Sequence, residues 1–440
     1  MSVTVIQQPT TPNVAYTKLP FVVSGSGTTS NPQYSYVMDV YESGSTSLIS
    51  RQLCIPNPFG VAVFEPSTII QGNLQNDEFW KITGSISPIN SVKTFDLRFG
   101  EAYGTSTSSS VTVYTGSTSN YLQIFPGTVD INGGSYNFNT GSFISQSGGN
   151  TYLSNSPNYS PLTGTPPIAT KQQISILANS SDYLTVTTLK DTDATPNSME
   201  IIGYRIQNGF ITGSPVQVNI TIPAGTTNSS FSTFGVGPQN LAATSSAWSA
   251  SLADPNGINI YQSNSDTGEF VVFINDKWDG VVPSSAFNYG VFSLIGYPTR
   301  PCNDEYTRFA WINKLGFWDY YNVYNPIQRS SELAKDNVNI PKLDYSSTLS
   351  PYDITSRGIT NYFTDYSDSY QITTEYLDQR FSTWLEELLE SPSVYIQKQD
   401  EFVPVIITDS SYIANTNQSR QKLFQYTITF TPAKGRELFI

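Results

Sequence analysis

Any chemistry this chain performs has to run on carboxylates. Asp365 and Asp368, in the run TDYSDSY, and Asp191 and Asp193, in DTDATPN, are acidic pairs spaced closely enough to share a ligand. Oxygens in such pairs can hold Ca²⁺, or serve as the acid and nucleophile of a glycoside hydrolase. Asp in a Ser/Thr-rich stretch has a simpler use, accepting hydrogen bonds from the backbone of a turn, and that reading is preferred for both pairs. Glu386 and Glu387 fall on the polar side of a predicted helix and read as solvated surface. The chain contains no histidine, which removes Ser-His-Asp and Cys-His nucleophile systems, His-ligated zinc and the commonest general base near neutral pH. Neither a GxxxxGK[ST] phosphate loop nor a strand-linked GxGxxG is present. No catalytic residue, cofactor or metal ligand is assigned, and the expectation is a non-enzyme.

Glycosidase clefts and lectin sites also stack aromatic rings on sugars, so the densest aromatic stretch matters. It is Tyr306 to Tyr324, YTRFAWINKLGFWDYYNVY. Asn313 can open a turn and Gly316 can supply the positive φ that closes it, which predicts a β-hairpin. Phe309 and Trp311 share one face of its first strand, with Arg308, Ala310 and Ile312 on the other. In its second strand Phe317, Tyr321 and Val323 alternate with Trp318, Tyr320 and Tyr324. Trp311, Trp318, Tyr320 and Tyr321 would suit a sugar platform, but alternation this tight reads as a core or subunit-contact ladder.

Composition narrows the class. Charged residues make up 13% of the 440, about half the usual ~25%, and Ser, Thr, Asn, Gly and Tyr take their place. With 38% hydrophobic residues the chain has ample core, so disorder is excluded and strands are favoured. A net charge of −13, with no basic cluster among 22 Lys and Arg, argues against specific nucleic-acid binding; it suits colloidal solubility or the wall of an acidic lumen. Cys54 and Cys302 are too far apart in sequence to form a metal cluster by themselves and fit free thiols in a reducing cytosol. The first residues show no leader pattern, and no apolar run is long enough for a membrane span, so no membrane insertion is expected.

The elements come in four blocks. Residues 1–103 read as a β-sandwich with runs such as KLPFVVSG, YSYVMDVYES, GVAVF and TFDLRFGEAY, plus a short helix near Pro66 to Leu74. In YSYVMDVY both faces carry bulky residues. Residues 104–167 are rich in Ser, Gly and Asn and read as an insertion or arm. Residues 168–300 form a second sandwich; in PVQVNITIP, Val216, Val218, Ile220 and Ile222 alternate with polar partners. Residues 301–440 carry the aromatic hairpin and one amphipathic helix, whose Leu377, Phe381, Trp384, Leu385 and Leu388 recur at three- and four-residue steps. Thr373 or Thr374 is its predicted N-cap, Glu375 lies in its first turn, and Pro392 stops it. The predicted fold class is mainly β and multi-domain: immunoglobulin- or fibronectin-like sandwiches, then a C-terminal sheet with one helix across it.

Two sets of segments resemble known proteins. The opening IQQP, YSYVMDVYESG, RQLCIPNPFG and VFEPSTIIQ, and the later RFAWINKLGFWDYY, SRGITNYFTDYSDSYQI, SPSVYI, VPVIITDSSY and FQYTITF, are similar to virion structural proteins of tailed phages of Bacteroidota. Neck, tail and baseplate components, including the ring proteins of crAss-like phages, belong to that group. The resemblance covers about half the chain, at both ends. It implies a homo-oligomeric ring that meets other neck or tail proteins, made in the host cytoplasm and resident in the virion, and it carries over no catalytic residue. A receptor-binding or carbohydrate-binding tail protein is the alternative.

Overall fold

A computed structural model of the chain describes residues 3–25, 30–78, 80–128, 136–137, 142–143, 151–152, 154, 173–177, 182–189, 198–207, 210–221, 231–244, 268–276, 291–295, 306–339, 359–377, 379–398, 400–409 and 424–433. The protein is mainly β, as its composition predicts, with several sheets and three helices among the described residues. The helices are α1 (Ser67–Gln71), α2 (Pro238–Thr244) and α3 (Gln379–Glu390).

The chain divides into two compact units, Met1–Cys302 with Ala310–Tyr321, and Asn303–Phe309 with Asn322–Ile440. The expected block from residue 301 onward is therefore interrupted. Residues 310–321 of the aromatic hairpin belong with the first unit, because their side chains are held by residues far upstream. Trp318 Nε1 donates to the Asp77 carbonyl at 2.8 Å, and the Tyr320 hydroxyl sits 2.7 Å from Thr185 Oγ1.

The first unit begins with a β-sandwich. A three-stranded sheet, Val3–Gln7, Phe21–Gly25 and Val61–Phe64, faces a larger one in which Asn13–Tyr16, Asn120–Thr128, Lys93–Tyr103, Ser35–Glu42 and Leu48–Cys54 are successive neighbours. Strict alternation puts Tyr36, Met38 and Val40 into the core with Phe95, Leu97 and Phe99, while α1 adds Ile70. Leu122 and Ile124 complete this core. The expected arm from Gly104 thus starts with two strands of the first sandwich: Thr112–Thr115 and Asn120–Thr128 both pair with Lys93–Tyr103. Ser and Gly between short strands mark turns here, as in any meander.

Two further sheets follow; Thr185–Leu189, Gln173–Leu177, Ser198–Gln207, Phe210–Thr221 and Gly268–Asp276 fall where the sequence predicts strands, whereas Thr151–Tyr152, Phe231–Gly235, Ser85–Ile86 and Val291–Ile295 are additional. The four-stranded one runs Thr151–Tyr152, Thr185–Leu189, Phe231–Gly235, Ser85–Ile86; the five-stranded one runs Gln173–Leu177, Val291–Ile295, Gly268–Asp276, Ser198–Gln207, Phe210–Thr221. The side chains of Val216, Val218 and Ile220, and all of Ile222, lie outside the described residues. Asn240 in α2 ties two connecting segments together, its Oδ1 accepting from Leu184 N at 2.8 Å and its Nδ2 donating to the Trp80 and Ile82 carbonyls at 2.9 and 3.0 Å.

In the second unit Gln328–Asn339, Ile359–Thr373, Thr427–Pro432, Glu401–Ile407 and Val394–Lys398 are neighbours in that order. The stripe of α3 is buried, with Phe381, Trp384, Leu385 and Leu388 each at most 5% exposed. The helix starts later than predicted. Thr373 ends a strand, Thr374 N donates to the Tyr426 carbonyl, and Leu377 forms a bridge with Phe424, so none of the three caps or enters α3. Leu377 is buried from a β-bridge position instead, because pairing with Phe424 outcompetes a helix turn that only local propensity favours. No described helix is long and apolar enough to cross a membrane.

Candidate functional site

The predicted turn forms as its residues dictate. Asn313 N donates to Phe317 O at 2.8 Å, and Asn313 Oδ1 accepts from Leu315 N and Phe317 N at 2.9 and 3.2 Å. Gly316 has φ +86°, where only Gly is unstrained. The aromatics on this hairpin are core. Trp311 and Tyr320 are 0% exposed, Phe309 0%, Tyr321 2%, Phe317 4% and Trp318 8%, so none offers a ring face to a sugar. Phe317 stacks with Phe125 and Phe231, at 6.0 and 5.9 Å between centroids. Phe309 meets Phe430 edge-on at 5.6 Å.

The predicted carboxylates fare differently. Asp368 is not in a turn; it stands in the strand Ile359–Thr373 and accepts from Arg329 Nη2 at 2.6 Å and from Ser331 Oγ. The serine hydroxyl and then the guanidinium hold its carboxyl below the usual range. Asp365 lies on the same strand with its side chain outside the described residues, as are Asp191 and Asp193 altogether. Glu386 and Glu387 are less solvated than predicted. Glu386 Oε1 accepts from the Tyr426 hydroxyl at 3.1 Å, and Glu387 is buried. Among the described residues, no group of three or more His, Cys, Asp or Glu could hold a metal ion.

A constellation the sequence reading passed over lies on the outer face of the larger sheet of the sandwich. The register places Arg51, Asp39 and Arg98 in one cross-strand row, and Leu48, Tyr41, Asp96 and Tyr121 in the next. Arg51 clasps Asp39 with both arms, Nε to Oδ1 at 2.6 Å and Nη2 to Oδ2 at 2.7 Å, and Thr115 Oγ1 adds a third bond at 2.7 Å. Burial alone would raise the Asp39 pKa; the Arg51 and Thr115 bonds outweigh it and hold the carboxyl below its ordinary value. Arg98 donates to Asp96 Oδ2 through Nε at 2.9 Å and lies 4.7 Å above the centre of the Tyr41 ring. Ser119 Oγ donates to the same Oδ2 at 3.0 Å, while Asp96 Oδ1, buried, has no hydrogen-bond partner among the described residues. Tyr121 is 56% exposed.

Two residues further along the same two strands, Thr94 and Gln123 line a cleft of about 290 Å³. Its other walls are Glu42, Ser43, Ser87, Pro88, Ile89 and Phe231 among others. The signals for this face were present in the sequence. DLR sets Asp96 and Arg98 on one side of a strand, and Asp39 and Tyr41 interrupt YSYVMDVY at the same period of two.

The second unit bears one other exposed feature. Strands Gln328–Asn339 and Ile359–Thr373 pair along their whole shared length, but among the described residues only Tyr370–Thr373 continues into the neighbouring strand Thr427–Pro432. Residues 326–338 are exposed on both faces, among them Leu333 at 60% and Val338 at 41%, and Ile359 on the partner strand is 65% exposed. No protein-family model and no curated protein matches this chain.

Proposed function

We propose that the chain is a structural subunit of a tailed-phage virion that assembles with copies of itself into a ring of the neck, tail or baseplate. The observation that carries this reading is the two-stranded ribbon of the second unit, which no other described strand flanks along most of its length. Twelve residues of strand Gln328–Asn339 extend roughly 40 Å at ~3.3 Å per residue. An isolated two-stranded ribbon is at best marginally stable in water, and this one exposes Leu333, Val338 and Ile359 as well. A neighbouring subunit lying along the ribbon removes both costs, and the β domains then pack side by side as the resemblance at both chain ends implies.

Low charge supports the same reading. A chain with 13% charged residues loses little desolvation energy when its surfaces are buried between subunits, and a remaining net −13 keeps the free subunit soluble. Mass in solution tests it. Light scattering after size exclusion is expected to give a discrete multiple of 48.5 kDa, with closed rings in negative-stain images. A chain that stays at 48.5 kDa up to high micromolar concentration overturns self-assembly as its function.

A further inference from the structure

We propose that the outer face of the larger sandwich sheet, from Tyr41 and Tyr121 into the adjoining cleft at Thr94 and Gln123, binds a saccharide. The face is electrically balanced. Arg51 is held by Asp39, Arg98 by Asp96, and Lys93 Nζ lies 3.3 Å from Glu42. With each cation matched to a carboxylate, nothing here singles out a phosphate or another anion. A peptide strand would be caught at a sheet edge, through its backbone, whereas these side chains stand on the face across strand centres. What remains is a ligand that wants flat rings on one side and directional hydrogen bonds on the other.

A pyranose has that form: axial C–H groups make one side apolar, while equatorial hydroxyls both donate and accept. Tyr121, 56% exposed, supplies a ring for the apolar side. Tyr41 is already backed by Arg98, which fixes its plane. Thr94, Gln123, Ser43 and Ser87 bring hydroxyl and amide groups to the cleft wall, with Ile89 and Pro88 as apolar floor. At about 290 Å³ the cleft stands at the small end of ligand sites, the size of one or two sugar rings.

The site stands on the first unit alone and does not depend on whether the chain forms rings. The test uses the full-length protein and saturation-transfer difference NMR with a fixed panel: glucose, galactose, mannose, N-acetylglucosamine and rhamnose, each as monosaccharide and as a defined di- to tetrasaccharide. At least one member is expected to receive saturation. Tyr121→Ala should weaken its binding tenfold or more, and Gln123→Ala should weaken it measurably. Tyr376→Ala, which removes a still more exposed tyrosine (69%) from the second unit, should leave it unchanged. Tyr121 and Gln123 are at the surface, so a circular-dichroism melt within a few degrees of the parent separates lost binding from lost fold. Silence from every panel member, or binding that Tyr121→Ala does not alter, overturns the proposal.

Discussion

Gly316 rests directly on the carbonyl of Pro126: the turn of the aromatic hairpin is seated against the strand Asn120–Thr128 with no room for a side chain between them. Two demands meet at this residue, a positive φ of +86° and backbone contact with a strand nearly two hundred positions upstream. Gly316→Ala should therefore cost about 3 kcal/mol or more, from the left-handed backbone and from forcing two main chains apart. Gly44 provides the comparison, with φ +81° and open space around it, so Gly44→Ala should cost only about 1 kcal/mol. Urea unfolding of both variants checks the difference; equal losses would contradict it.

Asn240 makes three hydrogen bonds to backbone groups of two other segments while only 1% exposed. Asn240→Ala leaves Leu184 N and two carbonyls unsatisfied in a dry site. A loss of roughly 3 kcal/mol is expected, with Asn240→Asp recovering only the bond to Leu184 N. Thermal melts monitored by tryptophan fluorescence report it, because Trp80 sits beside Trp318 at 4.2 Å between ring centres.

Acid should loosen the sandwich through Asp39. Its carboxyl titrates below its unfolded value, so the folded state binds fewer protons than the unfolded one near pH 4. That contribution is fully present above the unfolded pKa of about 3.9 and fades as pH falls from there through the folded value. Asp39→Asn should lower stability at pH 7 by about 1–3 kcal/mol and flatten the dependence between pH 5 and pH 3. Denaturant midpoints at several pH values test the slope; an unchanged profile would remove Asp39 as its source.

Assembly should be sensitive to the ribbon and to little else nearby. Leu333→Glu and Val338→Glu place charge on exposed apolar positions, so the monomer's melting temperature should hold within a few degrees while the assembled mass falls to that of one chain. Ile406→Glu, at a residue 56% exposed on another strand of the same sheet, is the control and should assemble as the parent does. Ribbon variants that still form full assemblies would show that the subunit contact lies elsewhere.

Much of this structure is legible in the chain. Asn313 and Gly316 announce their turn because each answers a local backbone requirement, and the α3 stripe from Phe381 to Leu388 is visible because its period is that of a helix. The start of α3 was not legible: Thr374 and Leu377 follow Tyr426 and Phe424, partners that are distant in sequence. The unit boundary inside the hairpin was hidden for the same reason, since Trp318 is assigned by Asp77 and Tyr320 by Thr185. Asp39, Asp96, Tyr41 and Tyr121 were each visible as letters, but only strand order sets them side by side. Local chemistry reads from sequence; adjacency made by long-range pairing does not.

The interleaving of the two units along the chain also bears on how the protein is made. All of the first unit is encoded by residue 321, whereas the second cannot form its sheet until Thr427–Pro432 has been synthesised. On the ribosome, the sandwich and its docked turn can close while the ribbon is still being translated. The subunit therefore matures from front to back, and its exposed apolar ribbon emerges only after the whole of the first unit has been made.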